Sequence, residues 1–390
     1  MIPYGKHHID EEDIQAVVDI LRSGALTQGP AVEAFEKAVA EYVGVKYAVA
    51  VSSGTAALHL SALAAGVGPG MSIVTSPITF VASANAARYC GGDVLFADID
   101  PETINMSPSA LREVLLKNSN VKAIIPVHFA GLPCDMVAIK NLADEAGAVL
   151  IEDAAHALGA TYPNGKRVGC CENSLMTIFS FHPVKAIAAG EGGMITTNDE
   201  VTYRKLIRSR SHGINKLNDA LQVEAEAFAD GEQNPWYYEM QEMGFHYRIT
   251  DIQCGLALSQ FSKLDTFISR RRDLVKNYDL AFAGMKNYSP AQMIGLDQSG
   301  HHLYVLRINF KQVALTRGQV IKKLREYGVG SQVHYIPVPS HPYYRQLGFK
   351  PEDYPNAQKY YQEALTIPLF YDLTEKQQSK VISTIKDLLV

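Results

Sequence analysis

No apolar run in this chain approaches the roughly 20 residues that a membrane-spanning helix needs. The opening MIPYGKHHIDEED holds no apolar signal core. Neither a span nor a secretory leader is expected, and a cytoplasmic setting is. Cysteine is scarce: Cys90, Cys134, Cys170, Cys171 and Cys254 are odd in number and show neither a disulfide framework nor metal-ligand CxxC spacing. A reducing compartment fits that usage. The histidines include the adjacent pairs His7-His8 and His301-His302 but no HExxH or comparable spacing, so no metal is expected. Basic stripes are missing too, since 36 Lys and Arg stand against 41 Asp and Glu for a net charge of −5. The one basic run, Arg270-Arg271-Arg272, reads as the solvated face of a long helix. No nucleic-acid or membrane partner follows from such a balance. Internal repeats and low-complexity tracts are absent as well.

What is present is enough for a large core. A chain of 390 residues with 47% apolar residues is expected to form two domains. Asp10 can cap a helix in which Ile14, Val17, Val18 and Leu21 recur until Gly24 stops it. A second helix places Val32, Phe35, Val39 and Val43 on one face before Gly44. Strand and helix then alternate: strands at 47–51, 72–75, 94–97, 121–127 and 148–153, with helices at 56–65, 80–89, from Ser107-Pro108, and at 136–146. That alternation argues for an α/β fold, a mainly parallel sheet covered by helices on both faces. Residues 215–235 carry scattered acids without a buried-face period and read as a mobile loop or lid. A long helix is expected from Asp251 to about Ala283. Beyond it, HLYVLRINF at 302–310 alternates as a half-buried strand, 317–327 is helical, 331–336 extended, and 375–389 a final amphipathic helix.

Three stretches carry chemistry. In SFHPVKAIAAGEGG, residues 180–193, Lys185 stands among Pro183, Val184, Ala186, Ile187, Ala188 and Ala189. A lysine in such company either points to water from a turn or has its charge suppressed; a desolvated amine is a nucleophile that forms Schiff bases with carbonyls. Upstream, Ala148-Val149-Leu150-Ile151-Glu152-Asp153 reads as a buried parallel strand ending in an acid. Asp153 is then a helix cap, or a ligand group at the strand end where open α/β sheets bind. Near the start, Ser52-Ser53-Gly54-Thr55 between a strand and a helix is an ordinary N-cap or a phosphate cup. Taken together, cup, acid and lysine suit pyridoxal 5′-phosphate (PLP), whose ring needs a carboxylate beside its pyridine nitrogen. Phe80, at a strand end, is either plain core or a ring to stack on a flat cofactor.

At this point the chain resembles a known family along nearly its whole length. LTQGP at 26–30, SSGTAALHL at 52–60, SPITFVASANAA at 76–87, EDAAHALGA at 152–160, FSFHPVK with EGG at 179–193, RSHG at 210–213, GFHYRITDIQ at 244–253 and VHY at 333–335 are similar to the DegT/DnrJ/StrS sugar aminotransferases. These are fold-type I PLP enzymes. The resemblance implies a large PLP-binding domain over 1–250 and a linking helix with a smaller C-terminal α/β domain over 251–390. The opening IPYGKHHID, the PITFVASAN segment and His156 are most similar to the branch that serves pseudaminic acid synthesis.

That likeness implies transfer of an amino group from L-glutamate to C4 of a UDP-4-keto-6-deoxy-N-acetylhexosamine, giving UDP-4-amino-4,6-dideoxy-N-acetyl-β-L-altrosamine. It assigns Lys185 as the Schiff-base lysine and proton carrier, and Asp153 as the partner of the pyridine nitrogen. His156 would lie on the ring and its 3′-oxygen, and Phe80 over the other ring face. Gly54, Thr55 and Ser180 would hold the phosphate. Tyr4, Leu26, Thr27, Gln332, His334 and Tyr335 would lie near the sugar nucleotide. In a homodimer with shared sites, His246 and Arg248 would reach the neighbouring subunit's pocket. The family usually has Asn where this chain has His246, although His can also donate a hydrogen bond. Competing readings are an aminotransferase for another 4-keto or 3-keto sugar nucleotide, a PLP-dependent sugar dehydratase of the same fold, and a non-catalytic PLP-binding sensor. In the dehydratases a histidine replaces the lysine, so Lys185 argues against that one. A sensor would be expected to have lost the lysine or to carry a DNA-binding module, and neither is seen.

Overall fold

The computed structural model describes residues 1–215 and 219–389. Asp10 opens the first helix with a capping box, its carboxylate accepting from Asp13 N while Asp13 accepts from Asp10 N, both at 3.1 Å. The helix α1 (Glu11–Ser23) ends at Gly24, left-handed at φ 81°. In α2 (Pro30–Val43) the expected stripe of Val32, Phe35, Val39 and Val43 is buried. Alternation follows as β1 (Tyr47–Val51), α3 (Gly54–Ala64), β2 (Ser72–Thr75), α4 (Val81–Tyr89), β3 (Asp93–Phe96), α5 (Pro108–Lys117), β4 (Val121–Ile125), α6 (Met136–Ala146) and β5 (Val149–Asp153). Then β6 (Met176–Ser180), β7 (Gly193–Thr197) and α7 (Glu200–Arg210) complete the large unit.

The seven strands make one sheet in the order β1-β7-β6-β5-β4-β2-β3. Only β7 runs against its neighbours, so the other six strands point one way. Their carboxyl ends therefore gather along a single edge, where ligands of open α/β sheets bind. Neighbouring side chains of a strand leave opposite faces: Leu150 joins the layer that holds Phe35 and Phe179, whereas Ile151 joins that of Leu60 and Ile73. By the same alternation Glu152 and Asp153 part company. Glu152 is fully buried and accepts from Ser174 Oγ at 2.5 Å, Thr177 Oγ1 at 3.2 Å, His128 Nε2 at 2.8 Å and the Tyr162 hydroxyl. Burial pushes its carboxyl up, but those bonds outweigh burial and hold it below the usual range.

The stretch read as an irregular lid has more order than its composition suggests. A short helix, α8 (Glu224–Ala227), leads into β8 (Phe228–Ala229) and β9 (Glu232–Gln233), an antiparallel hairpin. Its turn is Asp230-Gly231, both at positive φ, 53° and 83°. Asp-Gly is a strong hairpin signal, and it was legible. Residues 216–218 of that expected lid lie outside the described residues.

The single helix expected from 251 to 283 is two, α9 (Asp251–Ser262) and α10 (Leu264–Phe282). They meet at Lys263, whose Nζ reaches Asp10 Oδ1 at 2.6 Å and Asp13 Oδ1 at 3.0 Å. The change of core comes later, within α10: Cys254, Ala257 and Phe261, and beyond the break Leu264, Phe267 and Ile268, belong to the large sheet's core, whereas Leu274, Tyr278 and Phe282 belong to a second one. That second core lies on a three-stranded antiparallel sheet of β10 (Tyr288–Pro290), β11 (Tyr304–Ile308) and β12 (Ala364–Ile367), with β11 in the centre. Helices α11 (Arg317–Glu326) and α14 (Glu375–Leu388) pack into it, α13 (Pro355–Glu363) lies with Val305 in a neighbouring cluster, and α12 (Pro342–Gln346) packs Tyr344 into the layer of Leu60 and Ile73.

Two expectations are corrected here. The central β11 has Tyr304, Val305, Leu306 and Ile308 all buried, because elements cover both of its faces, so it is not half-buried. Arg271 is only 3% exposed, not solvated. Its Nη1 donates to Leu369 O at 3.0 Å and to the carbonyls of His301 and His302 at 3.4 Å. Burial without a carboxylate among these partners pushes the guanidinium down to about 10. The chain start is strapped to this unit through Ile2 N to Gly328 O and Gly330 N to Ile2 O, each at 2.7 Å.

Candidate active site

The carboxyl edge of the large sheet opens into a pocket of about 450 Å³. Its phosphate-cup wall is the start of α3. Ser53 caps that helix, accepting at Oγ from Ala56 N at 3.1 Å and at its carbonyl from Ala57 N at 3.0 Å. The Gly54 and Thr55 amides precede these first donors, belong to residues that line the pocket, and stand where a helix offers no intrahelical acceptor. Glycine is needed here for space. A Cβ on Gly54 would stand 3.0 Å from Ser180 Cβ, and one on Gly193 would stand 2.4 Å from Ser53 O. Those close approaches keep β6, β7 and the helix start in one small-walled cradle with Ser180 at its side.

Asp153 ends β5 at the pocket floor and is 4% exposed. Its Oδ2 accepts from Ser83 Oγ at 2.6 Å and its Oδ1 from Ala155 N at 3.1 Å. Thr79 Oγ1 lies 2.7 Å from Ser83 Oγ, so two hydroxyls one helical turn apart stand behind the carboxylate. Lys185 follows β6 in a turn where its own N–H donates to His182 O at 2.8 Å. By surface area it keeps partial contact with solvent through the pocket, yet the surrounding protein withholds hydration. Burial pushes its ammonium down to about 8, with Asp153 pulling the other way. An amine that gives up its proton near neutral pH can act as nucleophile and base.

His156 is buried, and its tautomer follows from its contacts. Nδ1 takes the Ala130 N–H at 3.3 Å, so Nε2 carries the proton and donates to the Tyr335 hydroxyl at 3.0 Å. Burial, then the charges of Lys185 and His334, holds it well below the usual histidine range. Tyr335, with its oxygen already accepting from His156, has its own proton free for the pocket. Phe80 is 59% exposed and lines the same cavity, which sets aside the plain-core alternative for that ring. Tyr4 enters from the strapped chain start and tilts against His334, ring centres 5.3 Å apart. Burial pushes His334 down to about 4.

Ten of the residues singled out in the sequence thus line one cavity: Tyr4, Gly54, Thr55, Phe80, Asp153, His156, Ser180, Lys185, His334 and Tyr335. Five do not. Leu26 and Thr27 are exposed on a loop tied to the 246–251 segment, through Asp251 N to Leu26 O at 3.0 Å and a bridge between Thr27 and Thr250. His246 is exposed and pairs with Ser211. Arg248 lines a separate cleft of about 620 Å³ with Gln28, Gly29 and Arg210. Gln332 pairs with Thr366. Conversely, sequence reasoning passed over Ser83, Thr79 and His302. For the first two a signal existed, because Thr79 and Ser83 lie four apart at the start of a helix that follows a strand end. Among the described residues no group of three or more metal-ligating side chains is placed to hold an ion, and no helix is long and apolar enough to cross a membrane.

Ser83→Ala is expected to keep the fold and bind PLP, but to lower kcat roughly tenfold, about 1.5 kcal/mol for a hydrogen bond to a charged group. Steady-state turnover beside the visible absorbance of bound cofactor checks this; a loss below twofold would leave Ser83 with a packing role only.

Comparisons with known proteins give the family. A family profile described as the DegT/DnrJ/EryC1/StrS aminotransferase family matches residues 7–386. The spore coat polysaccharide biosynthesis protein SpsC of Bacillus subtilis is 38% identical over 390 residues, covering 100% of this chain and 97% of that protein. Among solved structures, Helicobacter pylori PseC, an aminotransferase involved in pseudaminic acid biosynthesis, superposes with a TM-score of 0.88 at 29% identity, covering 100% of this chain and 99% of that one. Spr1654 of Streptococcus pneumoniae, described as a candidate sugar aminotransferase, matches in its PMP form with a TM-score of 0.89 at 30% identity, over 100% and 99% of the two chains. Its PLP form matches at 0.88 and 29%, over 99% and 98%.

Proposed function

Because this chain belongs to the DegT/DnrJ/EryC1/StrS aminotransferase family, we propose that it moves the amino group of L-glutamate to C4 of a UDP-4-keto-6-deoxy-N-acetylhexosamine, in the manner required for pseudaminic acid synthesis. It is a sugar aminotransferase, and PLP is its cofactor. The observation that carries the aminotransferase reading is the joint presence of Lys185, Asp153 and the α3 cradle in one pocket; the choice of sugar and pathway rests on the likeness to PseC. A cytoplasmic location follows from the same reading.

The residues fit the cofactor. The Gly54 and Thr55 amides with Ser180 would hold a phosphate, at a helix start that favours negative charge. Asp153 would sit beside the pyridine nitrogen, Phe80 over one ring face and His156 near the other. When bound, PLP supplies a carbonyl carbon that takes up the amino group and a ring that spreads the electron pair left when a substrate proton departs. The rest falls to the chain. Lys185 Nζ, poised near pH 8, accepts the proton from the amino-bearing carbon and returns it one position away. Asp153, held by Ser83 and Ala155, would set its carboxylate against the ring nitrogen. His156 donates a hydrogen bond from Nε2 to the Tyr335 oxygen and so leaves the tyrosine O–H to orient an oxygen in the pocket. Run with glutamate, these steps leave 2-oxoglutarate; run in reverse with the keto sugar, they deliver the amine.

Of the five residues outside the pocket, His246 and Arg248 belong, on this reading, to the site of a second copy in a homodimer. Support comes from the exposure of His246 and from an exposed apolar surface in the preceding segment, where Trp236, Tyr238, Met240 and Met243 are 60–75% exposed. A mixing experiment separates the cases. A Lys185→Ala chain combined with a chain altered at His246 and Arg248 should regain activity in one site of each heterodimer. If the loops serve their own subunit, none returns.

The substrate is tested by coupled turnover with glutamate over a panel of UDP-linked keto sugars. The 4-keto-6-deoxy-N-acetylhexosamine is expected to give the highest kcat/KM. Preference for a 3-keto sugar, or a dTDP-linked one, would replace this substrate without touching the aminotransferase chemistry.

A further inference from the structure

His302 is 6% exposed, lines the pocket and packs its ring on His156 with centres 4.4 Å apart. It is held by its backbone, not by its ring: its N–H donates to Ala130 O at 2.8 Å and its carbonyl accepts from buried Arg271 at 3.4 Å. The imidazole is different. Nδ1 is sealed from solvent and has no hydrogen-bond partner among the described residues, which leaves Nε2 as the nitrogen available to the cavity.

The neighbouring rings on this wall each have a protein partner at one atom: His334 Nδ1 is paired with Thr366 Oγ1 at 2.8 Å, and the Tyr335 oxygen accepts from His156 Nε2 at 3.0 Å. A polar ring placed at this depth without a partner costs stability unless a ligand completes it. The wall formed by Tyr4, His302, His334 and Tyr335 also lacks a permanent cation. Burial, then the charge of Lys185, holds the imidazole of His302 well below its usual range, so it meets a ligand uncharged. A neutral N–H among uncharged tyrosine and histidine rings matches hydroxyl and amide oxygens, as in a sugar ring, more closely than an amino-acid carboxylate.

We propose that His302 binds the acceptor sugar, its Nε2 hydrogen-bonding a ring hydroxyl or the acyl oxygen next to the carbonyl that receives the amine. The proposal rests on the aminotransferase reading and adds to it a residue that selects for the second substrate.

Two variants of the holoenzyme test it. His302→Phe keeps the ring packing against His156 and removes both nitrogens; His302→Asn returns an N–H to the same region. Bound PLP absorbance shows that each folds and loads. Each half-reaction is then followed alone by that absorbance, with glutamate on the PLP form and the UDP-keto sugar on the PMP form. His302→Phe is expected to raise the half-saturating sugar concentration 10- to 100-fold and the glutamate one less than about threefold, with His302→Asn recovering part of the loss. Equal weakening of both half-reactions, or none in either, overturns the assignment, as does failure of either variant to load PLP. A wild-type protein that converts glutamate but no keto sugar of the panel sinks the sugar reading and this inference together. One that fails with glutamate too sinks the aminotransferase reading itself.

Discussion

Lys185→Ala is expected to abolish turnover while leaving the fold intact. The side chain is the proposed covalent anchor and proton carrier, and proton transfer alone is worth ~10²–10⁴ in rate. Losing both roles should cost roughly 10⁴-fold or more, about 5.4 kcal/mol. Nothing in the geometry makes the residue a structural support. Its ammonium, pushed by burial down to about 8, is a burden on the cofactor-free protein. The folded value lies below that of an unfolded lysine, about 10.4. The unfolded chain therefore binds more protons between those two values, and stability rises with pH across that window. Below pH 8 the burden is fully present. The cofactor-free variant should match or exceed the wild-type melting temperature at pH 7 and lose the rise between about pH 8 and 10. Turnover within tenfold of wild type would remove Lys185 from the chemistry.

Asp153→Asn should fold, load cofactor weakly and lose about a hundredfold in kcat, or 2.7 kcal/mol at about 1.36 per decade. An amide is close to isosteric with the carboxylate, and it can still accept from Ala155 N and pair with Ser83 Oγ, which now stand 3.1 and 2.6 Å away. What it cannot supply is the negative charge that keeps a ring nitrogen protonated. Because hydrogen bonding is largely retained, the change isolates charge from shape. Single-turnover kinetics with glutamate is the direct measurement. A loss under threefold would mean that another acid, or none, faces the cofactor.

Legibility differed between the two cores. The large unit was readable almost element by element, since buried parallel strands are short apolar runs and Asp10, Ser53, Ser107 and Gly24 mark helix ends. The 251–283 helix misled because its apolar period continues through Lys263, and Leu264, Phe267 and Ile268 beyond the break still pack in the same core as Cys254, Ala257 and Phe261. Arg271 misled for a related reason. A run of three arginines looks solvated in one dimension, yet at helical spacing the middle one turns inward, where backbone carbonyls receive it.

By itself the sequence determined the chemistry: a lysine in an apolar turn, an acid at the end of a buried strand and a glycine-hydroxyl start to a helix are local arrangements, and local composition encodes them. It also determined the α/β alternation, because burial on two faces leaves a period in the chain. Only the tertiary structure decided what those groups meet. The reversed β7, the strap of the chain start over the small sheet, and the arrival of Ser83 behind Asp153 and of His302 beside His156 are pairings between segments far apart in sequence. Such pairings are selected by the fit of whole elements, whose energies sum over many weak contacts, and no single stretch carries their signal.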